Sequence, residues 1–225
     1  PRLMLLSPQP VEGGLPAVNA AFAEAEKAAP AERQADRKVS MDNLPKLGPA
    51  GRVVSRRHIP DLDVTIVRFA NDSTLTFKRT DFEKGSVSVQ LRFGNGFVGL
   101  PVDRDNPTWL SGIVGPSGLA DLDLDGMERL MTGRRMSLSF GLTEDAFELR
   151  GTTTGPDLKD QLRLLATKIA YPRYDEPLLQ RFKAGALDSY DLSFASATAP
   201  AAREFPLFSR GGDPRCFPTE KKEIR

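Results

Sequence analysis

The stretch from Arg134 to Pro172 limits what this chain can fold into more than any other part of it. Met136, Leu138, Phe140 and Leu142 alternate with Arg135, Ser137, Ser139 and Gly141. That period of two predicts a strand with one apolar face. Thr143, Glu144 and Asp145 supply a turn, after which Ala146 and Glu148 oppose Phe147 and Leu149. Leu158, Leu162, Leu165 and Ile169 then recur at helical spacing, predicting a helix laid on an apolar surface along that stripe. Thr154, three residues before Asp157, with Pro156 between them, marks the helix start, and Pro172 marks its end. A hairpin followed by an amphipathic helix is scaffold, and none of its residues reads as a nucleophile or a metal ligand.

Strand candidates upstream are Val64 to Phe69, Thr74 to Arg79 and Ser86 to Phe93, with turns at Asn71-Asp72 and Lys84-Gly85. A short helix is expected after Pro107, in TWLSGIVG, and another in LDGMERLMTG, closed by Gly133. Downstream, Leu178, Phe182, Ala186 and Tyr190 form a second helical stripe, and a last short helix starts at Pro200. Antiparallel strands in one run and helices in another predict an α+β fold, a mostly antiparallel sheet with helices packed on one face. At the other end, residues 2–8 are a strand candidate and the Ala- and Glu-rich segment up to residue 29 a helix. Residues 30–51, polar and punctuated by Pro and Gly, read as a linker. The chain therefore divides into 1–29, the tail of a preceding unit, a linker at 30–51 and a main domain at 52–225.

Charge and composition exclude several classes. Lys plus Arg number 31 against 30 Asp plus Glu, so no global field draws the chain to nucleic acid or an anionic membrane. No apolar run approaches the roughly 18 residues of a membrane span. The opening PRLMLLSPQP has too short an apolar centre for a secretory signal, and without an initiator Met it is expected to lie inside a longer product. His58 is the single histidine and Cys216 the single cysteine, which leaves little room for a zinc hydrolase site or a Ser or Cys peptidase.

Two motifs imitate binding sites. Gly94-Asn95-Gly96-Phe97-Val98-Gly99 matches a dinucleotide fingerprint, but Pro101 follows where a helix would have to open, so a strand exit is expected. Asp121, Asp123, Asp125 and Gly126 reproduce half of a calcium loop. The twelfth position, which should be a bidentate Glu, is Thr132, so Asp123 or Asp125 is expected to cap the following helix instead. His58 reads as a structural residue on a strand or its edge. Cys216 sits in a turn without a second ligand nearby. The pairs Arg56-Arg57 and Arg134-Arg135 lack the aromatic residues of a nucleic-acid platform.

The order of FANDSTLTFKRTDF, VSVQLRFGNG, DLDLDGMERLMTGRRMSLSFGLTEDAFELRGTT, LKDQLRLLATKIAYPRYDEPLLQRFK and GGDPRCFPT resembles the pitrilysin/insulinase family of zinc metallopeptidases. The densest matches run from Leu130 to Gly151 and from Leu158 to Pro172. In that family such units repeat, and catalytic repeats carry H-x-x-E-H on the helix after the third strand. Here that helix falls near PTWLSGIVG, where Trp109, Gly112 and Ile113 cannot hold zinc, and H-x-x-E-H occurs nowhere in the chain. The resemblance thus implies a non-catalytic repeat, with a metallohydrolase-like fold as in the repeats of mitochondrial processing peptidase. Such a repeat has no catalytic, cofactor or metal residues of its own. It would close a chamber over a zinc-bearing repeat, in the same or a partner chain, and help hold a peptide substrate. The resemblance also favours the periplasm over the cytoplasm. The alternative is a stand-alone structural or assembly protein on the same fold. An unrelated hydrolase would need a Ser or Asp nucleophile working without histidine.

Overall fold

In the computed structural model the described residues are 4, 6–7, 9–27, 39–102, 107–195, 197–216 and 220–224. They fall into two units, 1–38 and 39–225. The first unit contains helix α1, Gly14–Lys27, none of whose residues is buried. It begins three residues ahead of Ala17, where the Ala- and Glu-rich segment starts. Of the strand expected at 2–8, residues 4, 6 and 7 are described and form none, and Met4 and Leu6 are exposed. An apolar run with no neighbouring strand has nothing to satisfy its backbone.

The second unit starts inside the stretch that reads as a linker. Ser40 Oγ accepts from Asp42 N–H and caps a 3₁₀ turn, Met41–Asn43. Met41 and Leu44 are buried in one core cluster with Leu119, Met127, Leu130 and Leu164. Arg163 donates to the Leu44 carbonyl at 3.1 Å and ties the segment to the core. The chain from residue 39 is thus a wall of the core. Two buried apolar side chains three positions apart in a Pro-rich stretch are too few to make a periodic signal.

Among the described residues the strands form two antiparallel three-stranded sheets. Strands β1 (Val53–Ile59), β2 (Val64–Phe69) and β3 (Thr74–Lys78) make a meander in that order. Asn71 accepts from Ser73 N–H and O–H in the β2–β3 turn. The second sheet has β4 (Val87–Phe93), β5 (Ser139–Leu142) and β6 (Phe147–Thr153) in the order β4-β6-β5. Its register aligns Leu91 with Leu149 and Phe140, and Phe93 with Phe147 and Leu142, so the alternation read from the hairpin becomes one apolar face. On the other face Glu148, almost fully buried, lies between Arg92 and Arg150.

Helices α2 (Ser111–Val114) and α3 (Leu124–Met131) separate β4 from β5. After β6 come α4 (Leu158–Ala170), α5 (Glu176–Leu192), α6 (Ala199–Ser209) and α7 (Lys221–Ile224). The half-buried face of α5 includes Leu178, Phe182, Ala186 and Tyr190, the stripe read from sequence.

Helix α4 departs from its leucine stripe. Its buried residues are Gln161, Leu164, Leu165, Thr167 and Lys168, while Leu162 and Ile169 are 50% and 41% exposed. Two polar side chains decide this rotation. Gln161 accepts from Ser137 N–H at 3.1 Å and donates to the Ser137 carbonyl at 2.9 Å, serving as a neighbouring strand would. Ser137 Oγ accepts from Thr152 N–H at 2.8 Å in turn. Backbone pairing is replaced by side chains here, so β5 begins at Ser139, later than the alternation from Met136 suggests. Gly151 makes the close approach possible, because a Cβ there would lie 2.3 Å from Gln161 Nε2.

Lys168 Nζ donates to Ser117 O, Ser117 Oγ and Gly118 O at 2.5, 2.6 and 3.0 Å. Its ammonium thus holds the loop between α2 and α3 against α4. Burial lowers the Lys168 pKa from 10.5 to about 8.

Replacing Gln161 with Leu leaves both Ser137 backbone groups unpaired and is expected to cost about 2–3 kcal/mol in urea unfolding. Lys168→Met is expected to cost about 1–3 kcal/mol at neutral pH. The folded amine loses its proton earlier than the unfolded one. Between pH about 8 and 10.5 the unfolded chain therefore binds more protons at this site, and stability gains an upward slope with pH. Comparing the pH dependence of unfolding in wild type and Lys168→Met isolates that slope, which the variant lacks.

Candidate functional site

The apolar face of the second sheet does not pack completely against helices. Between α2, the β5–β6 hairpin and the start of α5 it leaves an open groove of about 400 Å³. Leu110, Ile113 and Val114 line one wall, Phe140 and Phe147 another, and Leu179 closes the α5 side. The two phenyl rings lie 6.2 Å apart and nearly parallel. Trp109 stacks on Phe182 with ring centroids 6.2 Å apart, fixing α2 against α5. The mouth carries Tyr174, Asp175 and Glu176, and among the described residues none of the lining is His, Cys, Lys or Arg. Asp175 takes the Arg173 guanidinium at 2.7 Å, and Arg173 also donates to the Asp121 carbonyl. Glu176 accepts from Gln180 at 2.5 Å. Such a site can receive an apolar group beside a negative charge. Among its described lining residues there is no imidazole or thiol.

The residues singled out in the sequence lie apart from one another. In the 94–99 stretch, Phe97 and Val98 N–H donate to the Thr143 and Glu144 carbonyls, so these amides are spent on the β5–β6 turn. A 3₁₀ turn, Phe97–Gly99, stands where the fingerprint needs a helix. Arg210 and Arg215 lie over the Phe97 ring at 5.0 and 5.8 Å. Arg215 holds the Asp213 carboxyl below the usual carboxylate range through hydrogen bonds from its guanidinium and backbone N–H.

Asp123 is the cap of α3, accepting from Gly126 N–H at 2.9 Å, which resolves the choice between Asp123 and Asp125. His58 lies on edge strand β1, half exposed, 3.3 Å from Thr65 Oγ1 and 3.8 Å from Asp63. Cys216 ends a 3₁₀ turn, Pro214–Cys216. Arg134 pairs with Asp160, and Arg135 N–H donates to Asp157 at 3.0 Å, so this basic pair anchors the start of α4. Among the described residues no three His, Cys, Asp or Glu side chains group as metal ligands. Trp109, Gly112 and Ile113 at the α2 position do not fit zinc.

The groove itself was not read from the sequence. Phe140 and Phe147 were legible as inward-facing hairpin residues. Their neighbours Leu110, Ile113 and Leu179 come from elements far away in the chain, and no local pattern joins them.

No family model matches this chain, and no curated protein matches it by sequence. Solved structures do. The ferredoxin protease FusC in complex with Arabidopsis ferredoxin superposes with a TM-score of 0.67 at 18% identity, over 99% of this chain and 24% of that one. The periplasmic protease PqqL from Escherichia coli gives 0.69 at 13% identity, over 97% and 23%. An inactive peptidase M16 domain from Pseudomonas fluorescens gives 0.56 at 18% identity, over 72% and 42%. The chain has the α+β fold of pitrilysin-type (M16) peptidase domains and spans about a quarter of the length of the first two.

Asp123→Ala is expected to remove the α3 cap and cost about 1 kcal/mol in thermal or urea unfolding. Millimolar calcium is expected to leave the wild-type melting temperature unchanged. A rise on adding calcium would show that the Asp121–Asp125 carboxylates bind the ion.

Proposed function

We propose that this chain is a non-catalytic pitrilysin-like domain that helps wall a chamber and hold peptide, while a zinc-bearing repeat elsewhere cleaves it. The observation that carries this reading is the pairing of the fold with the α2 region. In a catalytic repeat of the resembled family that helix brings two histidines and a glutamate to one face. Here the segment offers Trp109, just before α2, and Gly112, which both meet Phe182 of α5, and Ser111 and Ile113, which line an apolar groove. A peptidase needs a Lewis acid or an activated nucleophile at the scissile bond, and this groove presents neither. It does present what a peptide-holding surface needs, a concave apolar site with a few polar groups at its edge.

The partners in this reading are a catalytic repeat, in the same or another chain, and the peptide substrate. Zinc belongs to that catalytic repeat. The likeness to an inactive M16 domain supports the non-catalytic role, and the likeness to FusC with a bound protein supports contact with a substrate. The periplasm is the proposed location, supported by the fold shared with a periplasmic protease.

Purified without chelator, this chain is expected to carry far less than one zinc per molecule and to leave unstructured peptides uncut. Elemental analysis and a peptide-cleavage assay check both. One tightly bound zinc per chain would overturn the proposal.

A further inference from the structure

The groove between α2, the β5–β6 hairpin and α5 has a chemical preference that goes further than holding peptide in general. Its walls are apolar, and its size fits one large side chain. It is open along one side, which suits a group carried on a passing chain. The charge at its mouth is one-sided. Asp175 is neutralised by Arg173 at 2.7 Å. Among the described residues Glu176 has no cation partner; its carboxylate accepts only from the neutral Gln180 amide. Glu176 is the first residue of α5, where the helix dipole supplies about half a positive charge against its full negative one. The described residues at the mouth therefore carry a net negative charge.

We propose that this groove is a subsite for an extended peptide segment in which a large apolar side chain lies next to a Lys or Arg, with Glu176 taking the cation. An acidic neighbour would meet the Glu176 carboxylate and be disfavoured. A small polar side chain would leave the Phe140 and Phe147 rings in water. The inference rests on the peptide-holding reading and adds a substrate class to it.

The test uses the whole chain and short fluorescein-labelled Gly-Ser peptides carrying Phe-Lys, Phe-Glu or Ser-Lys at the centre, followed by anisotropy. Phe-Lys is expected to bind about threefold to fivefold more tightly than Phe-Glu, the scale of an exposed ion pair, and high salt should narrow that gap. Ser-Lys is expected to bind much more weakly than either. Glu176→Gln should bring the two Phe peptides together, and Leu179→Trp, which fills the groove, should weaken both. Val114→Trp fills it from the opposite wall, and circular dichroism identifies a filling variant that has lost its fold. Equal binding of Phe-Lys and Phe-Glu to the wild type, a gap that survives Glu176→Gln, or binding unchanged by groove filling would each overturn this inference while leaving peptide holding intact. If none of the peptides binds the wild type, the inference and the peptide-holding reading fall together.

Discussion

The structure turns on the buried polar face of α4. Gln161 and Lys168 lie two turns apart on that face, and each fixes a loop that has no secondary structure of its own. Gln161 takes both backbone groups of Ser137, completing a strand that would otherwise end with unpaired N–H and C=O groups. Lys168 collects the Ser117 and Gly118 carbonyls at the end of the α2 segment. These bonds set the rotation of the helix, and with it which leucines reach the core. An amide buried with both partners met is cheap to keep and costly to break. Leu164 and Leu165 follow these two polar residues inward, and Leu162 and Ile169 are left at the surface.

The same clamp shapes the groove. Lys168 restrains the chain just beyond α2, and Trp109 on Phe182 restrains the chain just before it. With α2 held at both ends, Ile113 and Val114 stand opposite Phe140 and Phe147 at a distance that leaves a cleft. Under the proposed function this helix stands where a catalytic repeat would carry its metal ligands. In this chain its side chains are packing residues and groove wall.

Two sequence patterns that imitate ligand sites have structural work instead. The Gly-rich turn after β4 spends its amides on the Thr143 and Glu144 carbonyls. The aspartate run at 121–125 spends Asp123 on capping α3. Both motifs supply what a ligand loop supplies, free N–H groups or carboxylates in a tight turn. The surrounding chain reaches them first. A local motif records only which groups are offered, and the fold determines what accepts them.

The hairpin alternation, the second-helix stripe, the α+β class and the absence of any H-x-x-E-H were legible in the sequence. Each depends on local periodicity or on residue identity, and a single sequence records both. The face that α4 buries, the core role of Met41 and Leu44, the split of the strands into two sheets and the groove were not legible. Each depends on the placing of residues far apart in the chain, such as Gln161 with Ser137 or Trp109 with Phe182. The sequence by itself determined the periodicities that build an α+β scaffold and the lack of an H-x-x-E-H motif. Only the tertiary structure decided where that scaffold leaves an opening, because the opening is the space its distant elements fail to fill.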